Sequence, residues 1–188
     1  MALEADRLSF SYGEAPVLSC ASFGLPQGGF AALIGPNGAG KSTLMNILTG
    51  VLRPDGGEIL INGARVSMKS PGDALALGIG MIYQHFKLVK PFTVAENIVL
   101  GMEQVKILKK QALEQQVRVL SEEYKIDINP ASAIWQLSIG EQQRVEILKV
   151  LYRKANILIL DEPTAVLTPD EVRELFGTLR NMAAMGCT

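Results

Sequence analysis

The sequence is poor in the residues that most often announce chemistry by themselves. Among 188 residues it holds two cysteines, one histidine and one tryptophan. Cys20 and Cys187 form no zinc or redox spacing and imply no disulfide framework, which fits a reducing compartment. His85 is expected to be a loop side chain rather than a catalytic group, Trp135 to pack, and the scattered methionines to fill core space. Charge of one sign is also lacking. The net charge is −1, so nothing argues for a nucleic-acid or anionic-membrane surface. There is no long hydrophobic run either: the longest charge-free stretch, Ala15 to Gly40, is broken by Pro16, Pro26, Pro36 and many glycines. No transmembrane segment is expected, and the acidic start, Met1 to Asp6, lacks a signal-peptide core. Any membrane role is therefore expected to be peripheral, through partner proteins.

What remains is an ordinary globular composition, 48% hydrophobic and 20% charged, of a length that makes one domain with a small subdomain the default. A chain of this size buries roughly 70% of its unfolded surface. Leu8, Phe10 and Tyr12 alternate with polar neighbours, as in a half-buried strand. Val17-Leu18 and Ala21-Ser22-Phe23 read as further short strands between turn residues, so the opening third is an antiparallel β patch. Phe30-Ala31-Ala32-Leu33-Ile34 is a continuous apolar run, expected to be a buried strand. A helix follows from Lys41 to Thr49, stopped by Gly50.

Glu58 to Ile61, then Asn62-Gly63, predicts a strand and a tight turn. Ile79 to Tyr83 predicts another strand. Thr93-Val94-Ala95-Glu96 is a capping box opening a helix toward Leu100. Gln104 to about Tyr124, with periodic Ile107, Leu108, Leu113, Val117 and Leu120, predicts an amphipathic helix. Ser138 and Glu141 have capping-box spacing before a helix ending near Arg153. Ile157 to Leu160 reads as the best buried strand. Thr168, Pro169 and Glu171 supply N-cap, N1 and N3 of a helix to about Met185. Strands alternating with helices predict an α/β core with a largely parallel sheet, and a mostly helical segment is inserted at about 86–137.

Two motifs carry chemistry. Gly35-Pro36-Asn37-Gly38-Ala39-Gly40-Lys41-Ser42-Thr43 follows an apolar run and opens a helix, the context of a phosphate-binding loop. Its glycines let backbone N–H groups wrap phosphates, and the helix N-terminus adds partial positive charge. Lys41 is expected to reach the β- and γ-phosphates, Ser42 to ligate Mg²⁺, and Thr43 to contact the α-phosphate side. The second motif is four apolar residues ending in Asp161-Glu162. Ligands bind at the carboxyl ends of parallel strands, so Asp161 is expected to hold Mg²⁺ and Glu162 to polarise an attacking water.

With Leu137-Ser138-Ile139-Gly140-Glu141-Gln142-Gln143 ahead of that strand, the whole chain resembles an ATP-binding cassette ATPase. The resemblance implies a P-loop NTPase core with an N-terminal antiparallel β subdomain and an inserted helical subdomain. It implies that Gln84 is the glutamine-loop residue that touches Mg²⁺ and senses a transmembrane partner. It also implies that Tyr12 stacks on adenine with Val17 nearby. Ser138, Gly140 and Glu141 would serve the ATP held by a second cassette, Ser138 and Gly140 through hydrogen bonds to the γ-phosphate, so that the site is completed on dimerisation.

Segments from Ser70 to Ala74, Gly78 to Phe86, Pro91 to Asn97 and Gly140 to Leu148 resemble importers of nucleosides and simple sugars. Ala165-Val166-Leu167-Thr168 matches that branch's variant of the dimer loop. Phe10 to Gly13 and Ile34 to Gly38 look more like iron-chelate or cobalamin importers. The family's switch histidine lies on a strand after the last helix, and the chain reaches Thr188 first. A truncated cassette that binds Mg-ATP and turns it over poorly is therefore expected. Implied partners are transmembrane permease subunits and a second cassette, at the cytoplasmic side of a membrane, with no nucleic acid.

The alternatives are a soluble cassette ATPase of DNA repair or translation, and a nucleotide-binding module without efficient hydrolysis. The repair type needs a long heptad insertion that is absent here. A small GTPase needs an Asn-Lys-x-Asp guanine reader, also absent from the sequence.

Overall fold

The computed structural model describes residues 1–102 and 109–188. They divide into two compact units, one of residues 1–81, 155–161 and 183–188, the other of residues 82–154 and 162–182.

In the first unit, strands β1 (Leu3–Tyr12), β2 (Ala15–Leu25), β3 (Gly56–Ile61) and β4 (Ala64–Val66) form an antiparallel sheet ordered β2-β1-β3-β4. Its buried face shows why the sequence needs an irregularity. Leu3 and Ala5 are buried, and so are Leu8 and Phe10, which breaks the period of two. The break is a bulge: Arg7 has φ 49° and its N–H donates to Ser22 Oγ at 2.8 Å. An extra residue at that point returns Leu8 and Phe10 to the inner face. Gly57 accommodates the bulge from the neighbouring strand, since a Cβ there would lie 2.4 Å from the Arg7 carbonyl oxygen. Asn62 (φ 52°) and Gly63 (φ 78°) make the tight turn into β4.

Helix α1 (Lys41–Leu48) buries Leu44, Ile47 and Leu48 in one core with Leu3, Leu8, Phe10, Ile59 and Ile61. Helix α2 (Pro71–Ala76) was not foreseen. Its start is nonetheless written in Ser70-Pro71-Gly72-Asp73: Ser70 Oγ accepts from the Asp73 N–H at 3.2 Å, with Pro at the first helical position. Strands β5 (Ile79–Ile82) and β6 (Ile157–Leu160) pair as a second, two-stranded sheet. Thr188 lies beside β6, donating to the Asn156 carbonyl at 2.8 Å and accepting from Leu158 N–H at 2.7 Å.

Four expectations for this unit are corrected. Val17-Leu18 and Ala21-Ser22-Phe23 belong to one long strand, because both pair with β1 across a second irregularity at Cys20 (φ 52°). Residues 30–34 are in neither sheet, and Phe30, Leu33 and Ile34 are 58%, 53% and 89% exposed. An apolar run becomes a buried strand only where a ladder takes up its backbone groups. In place of one largely parallel sheet, β5 and β6 form a two-stranded sheet and the larger sheet is antiparallel. Of β6 only Ile157 is fully buried.

The second unit is mainly helical. Helices α3 (Val94–Val99), α4 (Lys110–Glu123) and α5 (Ile139–Tyr152) pack on one another. Buried residues include Val94, Ile98, Leu113, Val117, Val145, Ile147 and Leu148. The Thr93–Glu96 box is complete, with Thr93 N–H on Glu96 Oε2 at 2.7 Å and Glu96 N–H on Thr93 Oγ1 at 3.2 Å. The expected start of α4 at Gln104, with Ile107 and Leu108, lies outside the described residues. Trp135, expected to pack, is 67% exposed in a short 3₁₀ turn, Ile134–Gln136, whose buried anchor is Ile134. Helix α6 (Pro169–Ala184) starts at the Thr168 cap as expected. Cys20 is exposed and Cys187 buried, and no disulfide joins them.

Candidate functional site

In the first unit, the glycine-rich loop runs into α1. Gly38 and Gly40 have φ 83° and 86°, a region that side chains other than glycine rarely adopt. Gly40 is constrained twice. A Cβ there would lie 2.9 Å from Leu18 Cδ2 and 3.1 Å from the Val17 carbonyl oxygen, so β2 seats directly against the helix start. No side chain caps α1, and its first turn carries no acid. Lys41 Nζ curls back and donates to the carbonyls of Gly35 and Pro36 at 2.7 and 2.9 Å. Gly35, Pro36, Asn37, Gly38 and Ala39 are exposed, as is Ser42, while Thr43 is buried. Tyr12, at the hairpin end, is 56% exposed and meets Phe10 edge-on with centroids 4.9 Å apart. Val17 is half-buried beside Gly40. Asp161 follows β6 directly and is half-buried.

Glu162 opens the next stretch of the second unit. Its φ of 45° is left-handed, a strained conformation for a glutamate. Its Oε2 accepts from Gln84 Nε2 at 2.9 Å. That pairing of two predicted site residues, 78 positions apart, was not foreseen. Gln84 stands on a segment fixed by α5: Glu146 Oε1 accepts the Lys87 N–H at 2.7 Å, and Lys149 Nζ donates to the Lys87 carbonyl at 3.1 Å. Lys87 also lies over the Tyr83 ring, 3.9 Å from its centroid. His85 is exposed in the same loop, as expected.

The start of α5 is crowded with hydrogen bonds. Ser138 N–H donates to Glu141 Oε2 at 2.8 Å, and Glu141 N–H donates to Ser138 Oγ at 3.2 Å. Gly140 N–H donates to Glu171 Oε1 at 3.0 Å. Gln143 is buried and its amide donates to the Pro163 carbonyl at 2.8 Å, fixing the turn that follows Glu162. The bonds from Thr168 and Gly140 hold the Glu171 carboxyl below the usual carboxylate range.

Residues 18–165 match the profile of a family described as ABC transporter. The chain belongs to this family. It is 51% identical over 162 residues to the guanosine import ATP-binding protein NupO of Bacillus subtilis (strain 168), covering 85% of this chain and 32% of that protein. It is 52% identical over 169 residues to the nucleoside import ATP-binding protein NupA of Lactococcus lactis subsp. cremoris (strain MG1363), covering 86% and 32%. The ribose import ATP-binding protein RbsA of Hahella chejuensis (strain KCTC 2396) is 41% identical over 187 residues, covering 98% and 37%. The chain thus spans about a third of the length of these curated relatives.

Among solved structures, it resembles the ADP conformation of MJ1267, an ATP-binding cassette of an ABC transporter. The TM-score is 0.87 at 26% identity, covering all of this chain and 78% of that one. It also resembles cbiO1 of Clostridium perfringens, part of the ABC transporter complex cbiONQ. There the TM-score is 0.83 at 28% identity, covering 98% and 74%. The expected P-loop NTPase fold of an ATP-binding cassette is therefore found.

Within this ABC transporter chain, sequence reasoning missed Gln143, Glu146 and Lys149 as holders of functional segments. Each acts through a bond to a distant backbone group, for which no local pattern exists. Glu171 was visible only as a helix cap, through its spacing from Thr168.

Proposed function

We propose that the chain is the ATP-binding, ATP-hydrolysing motor portion of an importer for nucleosides or simple sugars. One observation carries it: relatives 51% and 52% identical bear the names of guanosine and nucleoside import ATP-binding proteins. Its partners in this reading are transmembrane permease subunits and a second cassette. It works peripherally at the cytoplasmic side of a membrane. Among the described residues no helix is long and apolar enough to cross one.

The assignment of roles follows the donor chemistry. Gly35, Pro36, Asn37, Gly38, Ala39 and Gly40 offer a loop of backbone around phosphates, at a helix start with partial positive charge. Lys41 exchanges the Gly35 and Pro36 carbonyls, which it now holds, for phosphate oxygens, and Thr43 serves the α-phosphate side. Tyr12 offers an exposed ring face to adenine, with Val17 beside it.

Ser42 and Asp161 supply hard oxygen donors suited to Mg²⁺, and Gln84 is assigned to the same ion by resemblance. No group of three or more His, Cys, Asp or Glu that could hold a metal occurs among the described residues. Mg²⁺ keeps most of its waters and binds mainly through phosphates. When bound, the ion neutralises charge developing on the transferred phosphoryl group.

Glu162 acts on the attacking water. Its Oε2 accepts from Gln84, and the carboxylate keeps acceptor capacity for the water's hydrogen bond. The water oxygen bonds to the γ-phosphorus as the bond to the β–γ bridging oxygen breaks, giving ADP, phosphate and a proton. Ser138 and Gly140, with Glu141 beside them, serve the ATP of the second cassette.

Two measurements test the reading. Glu162→Gln is expected to keep Mg-ATP binding and to lose phosphate release. Cells deprived of the gene are expected to lose uptake of labelled guanosine or ribose, regained with the wild-type gene and not with Lys41→Ala. Unchanged uptake of both solutes in the deprived cells would overturn the importer assignment.

A further inference from the structure

The N-terminus of α5 already carries an anion. Gly140 N–H donates to Glu171 Oε1, 31 residues further along the chain. The other carboxylate oxygen, Oε2, accepts from Thr168 N–H at 2.9 Å and Thr168 Oγ1 at 3.0 Å. The fit is close, since a Cβ at Gly140 would lie 2.7 Å from Glu171 Oε1. With Ser138 N–H on Glu141 Oε2 and Glu141 N–H on Ser138 Oγ, three backbone donors at or near the helix start are engaged, at Ser138, Gly140 and Glu141.

A backbone N–H is a single donor, so a carboxylate and a phosphate oxygen cannot both take it at full strength. Two anions at one helix end also repel. The two oxygens hang from one carbon, so a side-chain rotation of Glu171 that frees Gly140 also loosens the Oε2 bonds to Thr168, and it needs no unfolding of α6.

We propose that Glu171 is a positioning residue of the signature peptide: its carboxylate holds the Gly140 N–H in the free chain and must turn away before a γ-phosphate can take that donor. This rests on the reading in which Ser138 and Gly140 bind the ATP of a second cassette. Glu171 then sets a threshold for pairing, because ATP on the partner has to displace a resident carboxylate.

The first test needs no partner. In the isotope-labelled chain, the Gly140 amide resonance is expected to move as pH falls through the lowered pKa of Glu171. Glu171→Gln is expected to remove most of that movement, leaving only the smaller effect of the neighbouring Glu141, and to speed exchange of the Gly140 amide about tenfold. A Gly140 amide indifferent to Glu171→Gln would overturn the proposal.

The second test measures pairing by sedimentation in the Glu162→Gln background, with ATP and Mg²⁺. Adding Glu171→Gln is expected to lower the ATP concentration for half-pairing by about three- to tenfold, as a charged competitor becomes a neutral, weaker one. Equal pairing with a responsive Gly140 amide would overturn the positioning role and leave the signature reading standing. Absence of any ATP-driven pairing in Glu162→Gln itself, with the amide still responsive, would instead show that the signature reading had failed, and the positioning role with it. Matching circular dichroism spectra of the variants guard against a folding defect.

Discussion

The helices α1 and α5 both begin at glycine-containing turns that are given phosphate roles, and they are built in opposite ways. At α1 the cap is Gly40 itself, left-handed, with no side-chain acceptor and no acid in the first turn. The nearby charge is a cation, Lys41, resting on two carbonyls of its own loop. At α5 the cap is Ser138, the reciprocal partner is Glu141, and Glu171 sits on Gly140. One helix carries no acid in its own first turn; the start of the other is filled by the chain's own carboxylates. The difference teaches that a helix N-terminus by itself does not define an anion site. What matters is which internal group must be moved. At α1 a phosphate competes with neutral carbonyls for a lysine. At α5 it competes with a carboxylate for a backbone donor.

The contrast can be broken most strongly at the two glycines. Gly40→Ala is expected to cost about 2 to 4 kcal/mol, from a left-handed conformation and from overlap with Leu18 and Val17. It should also weaken Mg-ATP binding. Gly140→Ala meets the Glu171 side chain at Oε1, Cγ and Cδ, which can swing away, and is expected to cost about 1 kcal/mol, near the net value of one hydrogen bond. Urea midpoints of the two variants check the order, and equal losses would erase the distinction.

A smaller effect is expected at the caps. Ser138→Ala removes a complete capping box and is expected to cost about 1 kcal/mol. Ser42→Ala, at an exposed first-turn position with no capping bond, is expected to change stability by less than about 0.5 kcal/mol. Thermal unfolding of the pair checks this.

The smallest effect is in pH. Glu171 is held below its usual range chiefly by its bond from Thr168 N–H, and Glu96 by that from Thr93 N–H. Asp73 is held down chiefly by Lys69 N–H. A carboxyl with a depressed folded pKa stabilises the fold above its unfolded value. That contribution is lost as pH falls through the folded value. Stability is therefore expected to be flat from neutrality to about pH 5 and to fall below it. Amide protection in the first turns of α3 and α5 is expected to drop before that of α1, which has no acid there. Hydrogen exchange between pH 5 and 3 reads the order, and earlier loss at α1 would contradict it.

Much of this was legible in the sequence, for a physical reason. Thr93–Glu96, Ser138–Glu141 and Thr168–Glu171 are local boxes, fixed by spacing, and all three form. Asn62-Gly63 dictated its own turn. The residues of the phosphate loop follow from glycine geometry and chain order. What could not be read were contacts between distant positions. Gln84 on Glu162, Glu171 on Gly140 and Glu146 on the Lys87 backbone each depend on where the fold brings two segments. The run 30–34 misled for the complementary reason. Its composition suits a buried strand, but burial is set by a neighbouring ladder and not by hydrophobicity.

The most direct test is a calorimetric titration of Mg-ATP into the chain and into its Lys41→Ala variant. The claim is that the loop 35–43 is where nucleotide binds and that Lys41 leaves the Gly35 and Pro36 carbonyls for phosphate. Loss of a charge-assisted contact to phosphate then predicts binding at least about tenfold weaker in the variant. Equal affinity of the two proteins would contradict it.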